Sequence, residues 1–270
     1  MNIDKVFFGL GETAAERILA LMKRLRSPEN GCPWDSVQSF KTIAPYTIEE
    51  AYEVSDAIDA GDMGALKEEL GDLLFQVIFH AQIADEDGQF SFDDVCDALV
   101  SKMIKRHPHV FGDTPTNDPK AVKQSWEQLK SAERAEKATD TQSVLDGIAL
   151  ALPALMRADK LQKRAARVGF DWPNATQVIE KITEEAGEIT DALAAGEPQA
   201  RIHEEVGDLI FAVTNLARKL GVDPEHALRD TNQKFTRRFQ HIEANAPSSL
   251  DNMSLDAMEA LWIDAKEKGL

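Results

Sequence analysis

Apolar residues recur at steps of three and four along most of the chain, and no segment alternates at strand period over a useful length. Residues 12–26 place Ile18, Leu19, Leu21, Met22 and Leu25 on one side of a helix that stops at the breaker cluster Ser27-Pro28-Glu29-Asn30-Gly31. Cys32-Pro33-Trp34-Asp35 follows as a loop. The pattern predicts helices over 45–60, opening at Pro45 and closing at Gly61-Asp62, and over 63–86. The second of these carries Leu66, Leu70, Leu73, Leu74, Val77, Ile78 and Ala81 at helical spacing and ends at Gly88. A helix over 92–106 closes at His107-Pro108-His109, read as a loop, and a polar helix over 120–137 follows a loop at 112–119. The fold class predicted is all-α.

Periodicity weakens over 138–151, which places a boundary between a first domain, 1–138, and a second, 152–270. From Pro153 the pattern restarts. A helix with Leu155, Met156, Leu161 and Ala165 ends at Gly169, and Phe170-Asp171-Trp172-Pro173 follows. Helices then span 175–195 and 199–219 around a turn at Gly196-Glu197-Pro198. After Gly221-Val222-Asp223-Pro224 a helix runs to about 243, and a short one covers 254–267. The halves are an internal repeat. Glu49-Glu50-Ala51-Tyr52-Glu53 matches Glu184-Glu185-Ala186-Gly187-Glu188, and Glu68-Glu69-Leu70-Gly71-Asp72 matches Glu204-Glu205-Val206-Gly207-Asp208. Lys102 and Arg106 match Lys234 and Arg238; Trp126 and Lys130 match Trp262 and Lys266.

Charge narrows the partners. A net charge of −17 over 270 residues, with a pI near 4.8, argues against non-specific binding to nucleic acid or to an anionic membrane. A phosphate-bearing ligand therefore needs local help from metal or a few cations. Cys32 and Cys96 form no CxxC spacing, so neither a disulfide framework nor a zinc site is expected. Val6-Phe7-Phe8-Gly9-Leu10 is too short for a signal peptide, and no run has the length of a transmembrane helix. The expectation is a cytoplasmic protein.

The acids carry the chemistry. On a helix Glu185 and Glu188 share a face, as do Glu205 and Asp208. Two such helices packed antiparallel aim four carboxylates at one point, where they repel unless a cation neutralises them. A hard, oxygen-seeking ion suits them: Mg²⁺, with Mn²⁺ as the variant. Glu184 and Glu204 stand beside these ligands as candidates to orient a water or to serve as outer partners of the ligands. The first copy offers the same set in Glu50, Glu53, Glu69 and Asp72. Lys181, Arg201, Lys234 and Arg238 bracket the acids as a cradle for triphosphate oxygens; each alone also reads as a salt bridge or a solvated charge. Trp262 with Lys266 reads as a base platform and phosphate contact, or as a plug at the bundle's end. Gly71 and Gly207 are weak helix formers whose presence suggests close approach of a helix or ligand. Metal-held phosphate with bracketing cations suggests water attacking phosphorus.

Several strings resemble the MazG family closely: GCPWD at Gly31, TIEEAYE at Thr47, EELGDLLFQV at Glu68, RHPHVF at Arg106, LPALMRADKLQKRAARVGFDW at Leu152, EEVGDLIFAVTNLAR at Glu204 and KFTRRF at Lys234. The resemblance spans almost the whole chain. It implies the all-α nucleotide pyrophosphohydrolase fold, a homodimer, and Mg²⁺-dependent cleavage of nucleoside triphosphates between the α and β phosphates. It further implies tolerance of base and sugar, and a house-cleaning role. By position it puts the metal ligands on Glu185, Glu188, Glu205 and Asp208, and nucleotide contacts on Lys181, Lys234, Arg238, Trp262 and Lys266. The family has a lysine where this chain has Arg201, which turns a point charge into a fork. Ala186-Gly187 weakens the helix inside the second EExxE motif.

Tyr46 stands in the first copy where the second has Lys181, and Phe79 where it has Asn215. The resemblance favours the second copy as the working one, and these differences partly agree. The first copy keeps its acids and could take metal and turn over weakly, or mainly build the dimer, which is the role expected of it. Two other readings use the same residues. One is a pyrophosphatase narrowed to a nucleotide such as dUTP or phosphoribosyl-ATP; the other is a metal-dependent nucleotide sensor without turnover.

Overall fold

A computed structural model describes residue 6 and residues 9–112, 116–119, 121–122, 125–126, 129 and 143–270. The chain divides into two compact units, Met1–Lys137 and Ala138–Leu270. Among the described residues there is no strand, and helices account for the architecture, as the apolar spacing predicts.

The first unit contains α1 (Ala14–Leu25), α2 (Phe40–Ala60), α3 (Met63–Glu86), α4 (Phe92–Arg106) and the single turn α5 (Pro108–Phe111). Each main helix starts where a side chain takes over an orphan backbone donor. Thr13 and Glu16 form a capping box on α1, Ser39 and Thr42 on α2, and Ser91 and Asp94 on α4. Asp62 accepts from the N–H groups of Gly64 and Ala65 at 2.8 and 3.0 Å to open α3. The α2–α3 connection is the tight turn at Gly61, whose φ of +68° suits glycine. Such a turn makes the two helices an antiparallel hairpin, and α1 and α4 pack against α3.

Two expectations need correcting here. The second helix opens at Phe40 rather than at Pro45: the Ser39 cap nucleates it earlier, and Pro45 sits within the helix at the loss of one backbone bond. The His107-Pro108-His109 segment is not plain loop, since Pro108 starts the short α5, its missing N–H being no loss in a first turn. The expected helix over 120–137 lies largely outside the described residues, as does Lys130; residues 119, 121–122, 125–126 and 129 are helical.

The second unit contains α6 (Ala154–Arg167), α7 (Ala175–Ala195), α8 (Gln199–Lys219), α9 (Pro224–Asn245) and α10 (Leu255–Glu267). The hairpin recurs as α7–α8 around Gly196, φ +66°. α6 and α9 pack against α8, and α10 against α9. α7 runs unbroken through Ala186 and Gly187.

The interiors differ. The first unit has an apolar cluster of Met22, Ile43, Ile78, Phe79 and Ile83, flanked by Ile18, Leu19, Phe75 and Phe92, and its buried polar side chains, Arg26, Asp35 and Gln76, lie at other places. Aligning Leu21-Met22-Lys23-Arg24 with Leu161-Gln162-Lys163-Arg164 puts Gln162 at the place of Met22 and Asp159 at that of Leu19. Both Asp159 and Gln162 are buried, as are Thr214 and Asn215 where the first unit has Ile78 and Phe79.

Candidate functional site

The α7–α8 hairpin brings Glu185, Glu205 and Asp208 together. One carboxylate oxygen from each lies within 4.8 Å of the other two. Glu185 and Glu205 are 5% and 2% exposed, whereas Asp208 faces outward. Glu188, one turn after Glu185, borders the group: burial first, then the charges of Glu205 and Glu185, raise its pKa above the ordinary value. Like charges held this close with so little water favour a proton or a cation. Glu185 Oε2 is buried with no hydrogen-bond partner, so the hairpin leaves one acceptor unspent where the acids converge. An all-oxygen donor set with a spare buried acceptor fits a hard divalent cation.

Two cations already lean on the cluster. Lys181 Nζ is 2.8 Å from Glu184 and 2.7 Å from Glu185, and these carboxylates, Glu184 first, hold its ammonium above the usual lysine range. Arg201 forms the matching pair on α8, 3.3 Å from Glu204 and in contact with Glu205, its pKa raised by Glu204 and then Glu205. In each case the cation joins one exposed and one buried carboxylate. Glu184 and Glu204 are thus exposed ion-pair partners, and it is Glu185 and Glu205 that point into the hairpin.

The other expected contacts gather on α9 and α10. The Arg238 guanidinium lies over the Trp262 ring at 5.5 Å, and Arg238 Nε donates to the Leu270 carbonyl at 2.7 Å. Phe235 meets Trp262 at 5.3 Å and stacks on Phe239 at 6.0 Å. Lys234 and Lys266 are exposed. Among the described residues no ion pair joins these four to the acids. Gly71 and Gly207 have nothing within 4 Å of where a Cβ would stand, so neither marks the close approach of a neighbouring helix.

In the first unit Glu50, Glu69 and Asp72 form the same cluster, again within 4.8 Å. The electrostatics differ. Burial and then Asp72 and Glu53 raise the pKa of Glu50; burial and then Glu53 and Asp72 raise that of Glu69. The charges acting on both are carboxylates. Tyr46 occupies the place of Lys181 and Ala65 that of Arg201, so the first copy lacks both bracketing cations. Gln76, which the motif pattern does not flag, donates from Nε2 to Glu50 at 3.4 Å.

A second feature missed by motif reading lies at the far end of the second hairpin. Asp171 takes Arg218 on one oxygen and Lys219, at 2.6 Å, on the other, and Arg218 also donates to Asn215 at 3.2 Å. Burial pushes the Asp171 pKa up, but the bonds from Arg218 and Lys219 outweigh it and leave the group below its ordinary value. This ties the loop before α7 to the end of α8.

Comparison with known proteins agrees with these two hairpins. The MazG nucleotide pyrophosphohydrolase domain matches twice, at residues 38–111 and 174–243. A nucleoside triphosphate pyrophosphohydrolase of Escherichia coli K12 is 50% identical over 257 residues, covering 94% of this chain and 97% of that protein. The nucleoside triphosphate pyrophosphohydrolase/pyrophosphatase MazG of Thermotoga maritima is 42% identical over 254 residues, covering 93% and 95%. Each domain match begins just before a carboxylate hairpin and spans it.

Proposed function

Since the chain belongs to the MazG nucleotide pyrophosphohydrolase family, we propose that it hydrolyses nucleoside triphosphates to monophosphate and pyrophosphate at the α7–α8 hairpin of its second unit. The observation that carries this is the pairing of two buried carboxylates, Glu185 and Glu205, with Lys181 and Arg201 at a cluster that also holds Asp208. Glu185, Glu188, Glu205 and Asp208 would hold Mg²⁺, or Mn²⁺ in its place. Bound there, the ion would supply neutralisation of phosphate oxygens and a more acidic water. The chain's own residues do the rest. Lys181 and Arg201 sit against Glu185 and Glu205 at the edge of the cluster, where they offer donors to phosphate oxygens. Arg201 offers a planar fork to two phosphate oxygens. Lys234, Arg238, Trp262 and Lys266 form the outer wall, with Trp262 and Arg238 already stacked as a platform. Glu184 and Glu204 keep the two cations aligned from outside.

The substrate range is broad across bases and both sugars, and the role is control of the nucleotide pool. The working location is the cytoplasm; among the described residues no helix is long and apolar enough to cross a membrane. The assembly is a homodimer. Leu70, Leu74 and Val77 on α3, and Val206, Ile210 and Val213 on α8, form exposed apolar stripes at i, i+4 and i+7 at matching positions of the two copies. The first unit serves mainly this assembly, its cluster taking metal without the bracketing cations that substrate needs.

The test is pyrophosphate release from ribo- and deoxyribonucleoside triphosphates with Mg²⁺ and with EDTA. Monophosphate and pyrophosphate as co-products, with metal only, is the expected result. Orthophosphate with diphosphate would assign the wrong bond. Nucleotide binding without turnover would leave a sensor.

A further inference from the structure

The polar interior of the second unit has no structural need that the first unit does not meet with apolar residues. At equivalent places the first unit has Leu19 partly buried and Met22, Ile78 and Phe79 buried, and the second buries Asp159, Gln162, Thr214 and Asn215. Thr214 is satisfied within its own helix, its hydroxyl donating to the Ile210 carbonyl at 2.9 Å. Asn215 accepts from Arg218. The two residues from α6 are different. Gln162 donates from Nε2 to the Phe211 carbonyl at 2.9 Å, which fixes its amide and turns Oε1 away to a buried position without a partner. Asp159 binds Lys163 through Oδ2 at 2.7 Å, and its Oδ1 is likewise buried and unpartnered. The side chains are 8% and 5% exposed and sit three apart, on one face of α6. Buried acceptors without donors destabilise a fold, and an apolar pair of similar size would remove the penalty. Leu19 and Met22 are that pair in the sister unit.

Their position relates them to the phosphate site. Gln162 meets α8 at Phe211, and Asp171, just past α6, meets it at Arg218 and Lys219, so α6 runs parallel to α8. Asp159, one turn before Gln162, is then level with Gly207 and Asp208, one turn before Phe211. Two spare acceptors thus face α8, the helix that carries Glu205 and Asp208.

Resting on the proposed activity, we propose that Asp159 Oδ1 and Gln162 Oε1 read the nucleobase by accepting the two N–H bonds of an exocyclic amino group. One –NH₂ supplies two donors to two acceptors. Adenine, cytosine and guanine carry such a group; uracil and hypoxanthine do not. The chain accordingly favours amino-bearing bases within its broad range, and these two residues set the preference.

The experiment compares the wild type with Asp159→Leu, Gln162→Met and the double variant, which install the sister unit's residues. Pyrophosphate release and equilibrium binding are measured for ATP, CTP, GTP, UTP and ITP. In the wild type kcat/KM and affinity are higher for the amino-bearing nucleotides. The double variant lowers these by roughly tenfold or more, through KM, while UTP and ITP stay within about twofold and circular dichroism is unchanged. Asp159→Asn, which keeps the shape and exchanges an acceptor for an amide, narrows the gap between ATP and ITP. Equal effects on all five nucleotides, or none on any, would overturn the base-reading role and mean that the two oxygens serve water or packing alone. Base-selective binding lost in the variants, without pyrophosphate release from any chain, would uphold the base contact and reject the proposed activity instead.

Discussion

The two units carry the same carboxylate hairpin in different surroundings. In the second, Lys181 and Arg201 lie against Glu185 and Glu205, and buried Asp159, Gln162, Thr214 and Asn215 line the helices behind. In the first, Tyr46 and Ala65 take the cation positions, and Leu19, Met22, Ile78 and Phe79 fill the interior. Four acids alone make a place for a cation. What separates a metal site from a site for a metal-bound triphosphate is the charge and polarity around the acids, since phosphate needs donors that carboxylates do not provide. Duplication kept the acids in both copies, and the two interiors diverged around them.

The comparison can be broken in several ways, and the largest effect expected is on turnover. Chelation with EDTA should lower pyrophosphate release by roughly a hundredfold or more, with Mg²⁺ or Mn²⁺ restoring it. Release that persists in EDTA would detach the acids from the reaction. Next come the cations: Lys181→Met and Arg201→Met should each lower kcat/KM by about ten- to a hundredfold. Installing Lys at Tyr46 and Arg at Ala65 in a chain disabled at Glu185 should recover some of that activity if missing cations are what would keep the first copy from turnover. No recovery would mean that bracketing cations alone do not make the first copy a substrate site.

Stability sharpens the contrast between the interiors. Met22 is fully buried, so Met22→Ala should destabilise the first unit by about 2–5 kcal/mol. Gln162→Met at the matching place should shift stability by less than about 1 kcal/mol, because losing the bond to the Phe211 carbonyl is offset by removing an unpartnered acceptor while the volume is kept. Urea unfolding of the two variants measures both; equal losses would mean that Gln162 is a structural residue like its counterpart. The smallest effect expected is with pH. Folding raises the pKa of Glu50 and Glu69 above the ordinary 4.5, so the folded chain holds their protons more tightly than the unfolded one. Their contribution to stability is therefore greatest below pH 4.5 and declines as pH rises through the range just above it. Metal-free protein should melt at a lower temperature at pH 7 than at pH 5 by an amount that Glu50→Gln reduces. A melting temperature insensitive to that substitution would show that the three first-copy acids do not repel one another as drawn.

Much of this was legible in the sequence. The α7 and α8 boundaries follow from Gly196 and Pro198 and from the break at Gly221, and the acids' convergence follows from helical spacing plus a short turn. Pro45 misled because a breaker outweighs its surroundings in a local reading, whereas the Ser39–Thr42 capping box five residues earlier is the stronger signal. Asp159 and Gln162 were hidden for another reason. Amid the charged run Asp159-Lys160-Leu161-Gln162-Lys163-Arg164 they read as a solvated face, and only packing against α8 shows them buried. Setting Met22 against Gln162 in the repeat was the one clue available beforehand. The ion pairs of Glu184 and Glu204 were equally invisible, since two adjacent glutamates look alike until the helix turns one inward and the other to solvent.

The most direct test of the central claim, that one of two similar acid clusters does the chemistry, sets Glu50→Gln beside Glu185→Gln in a pyrophosphate-release assay with saturating Mg²⁺ and ATP. The expected result is a rate within about threefold of wild type for Glu50→Gln and a loss of roughly a hundredfold or more for Glu185→Gln, both chains retaining their helical content. Equal losses, or the larger loss in Glu50→Gln, would contradict the account and place the reaction in both units or in the first.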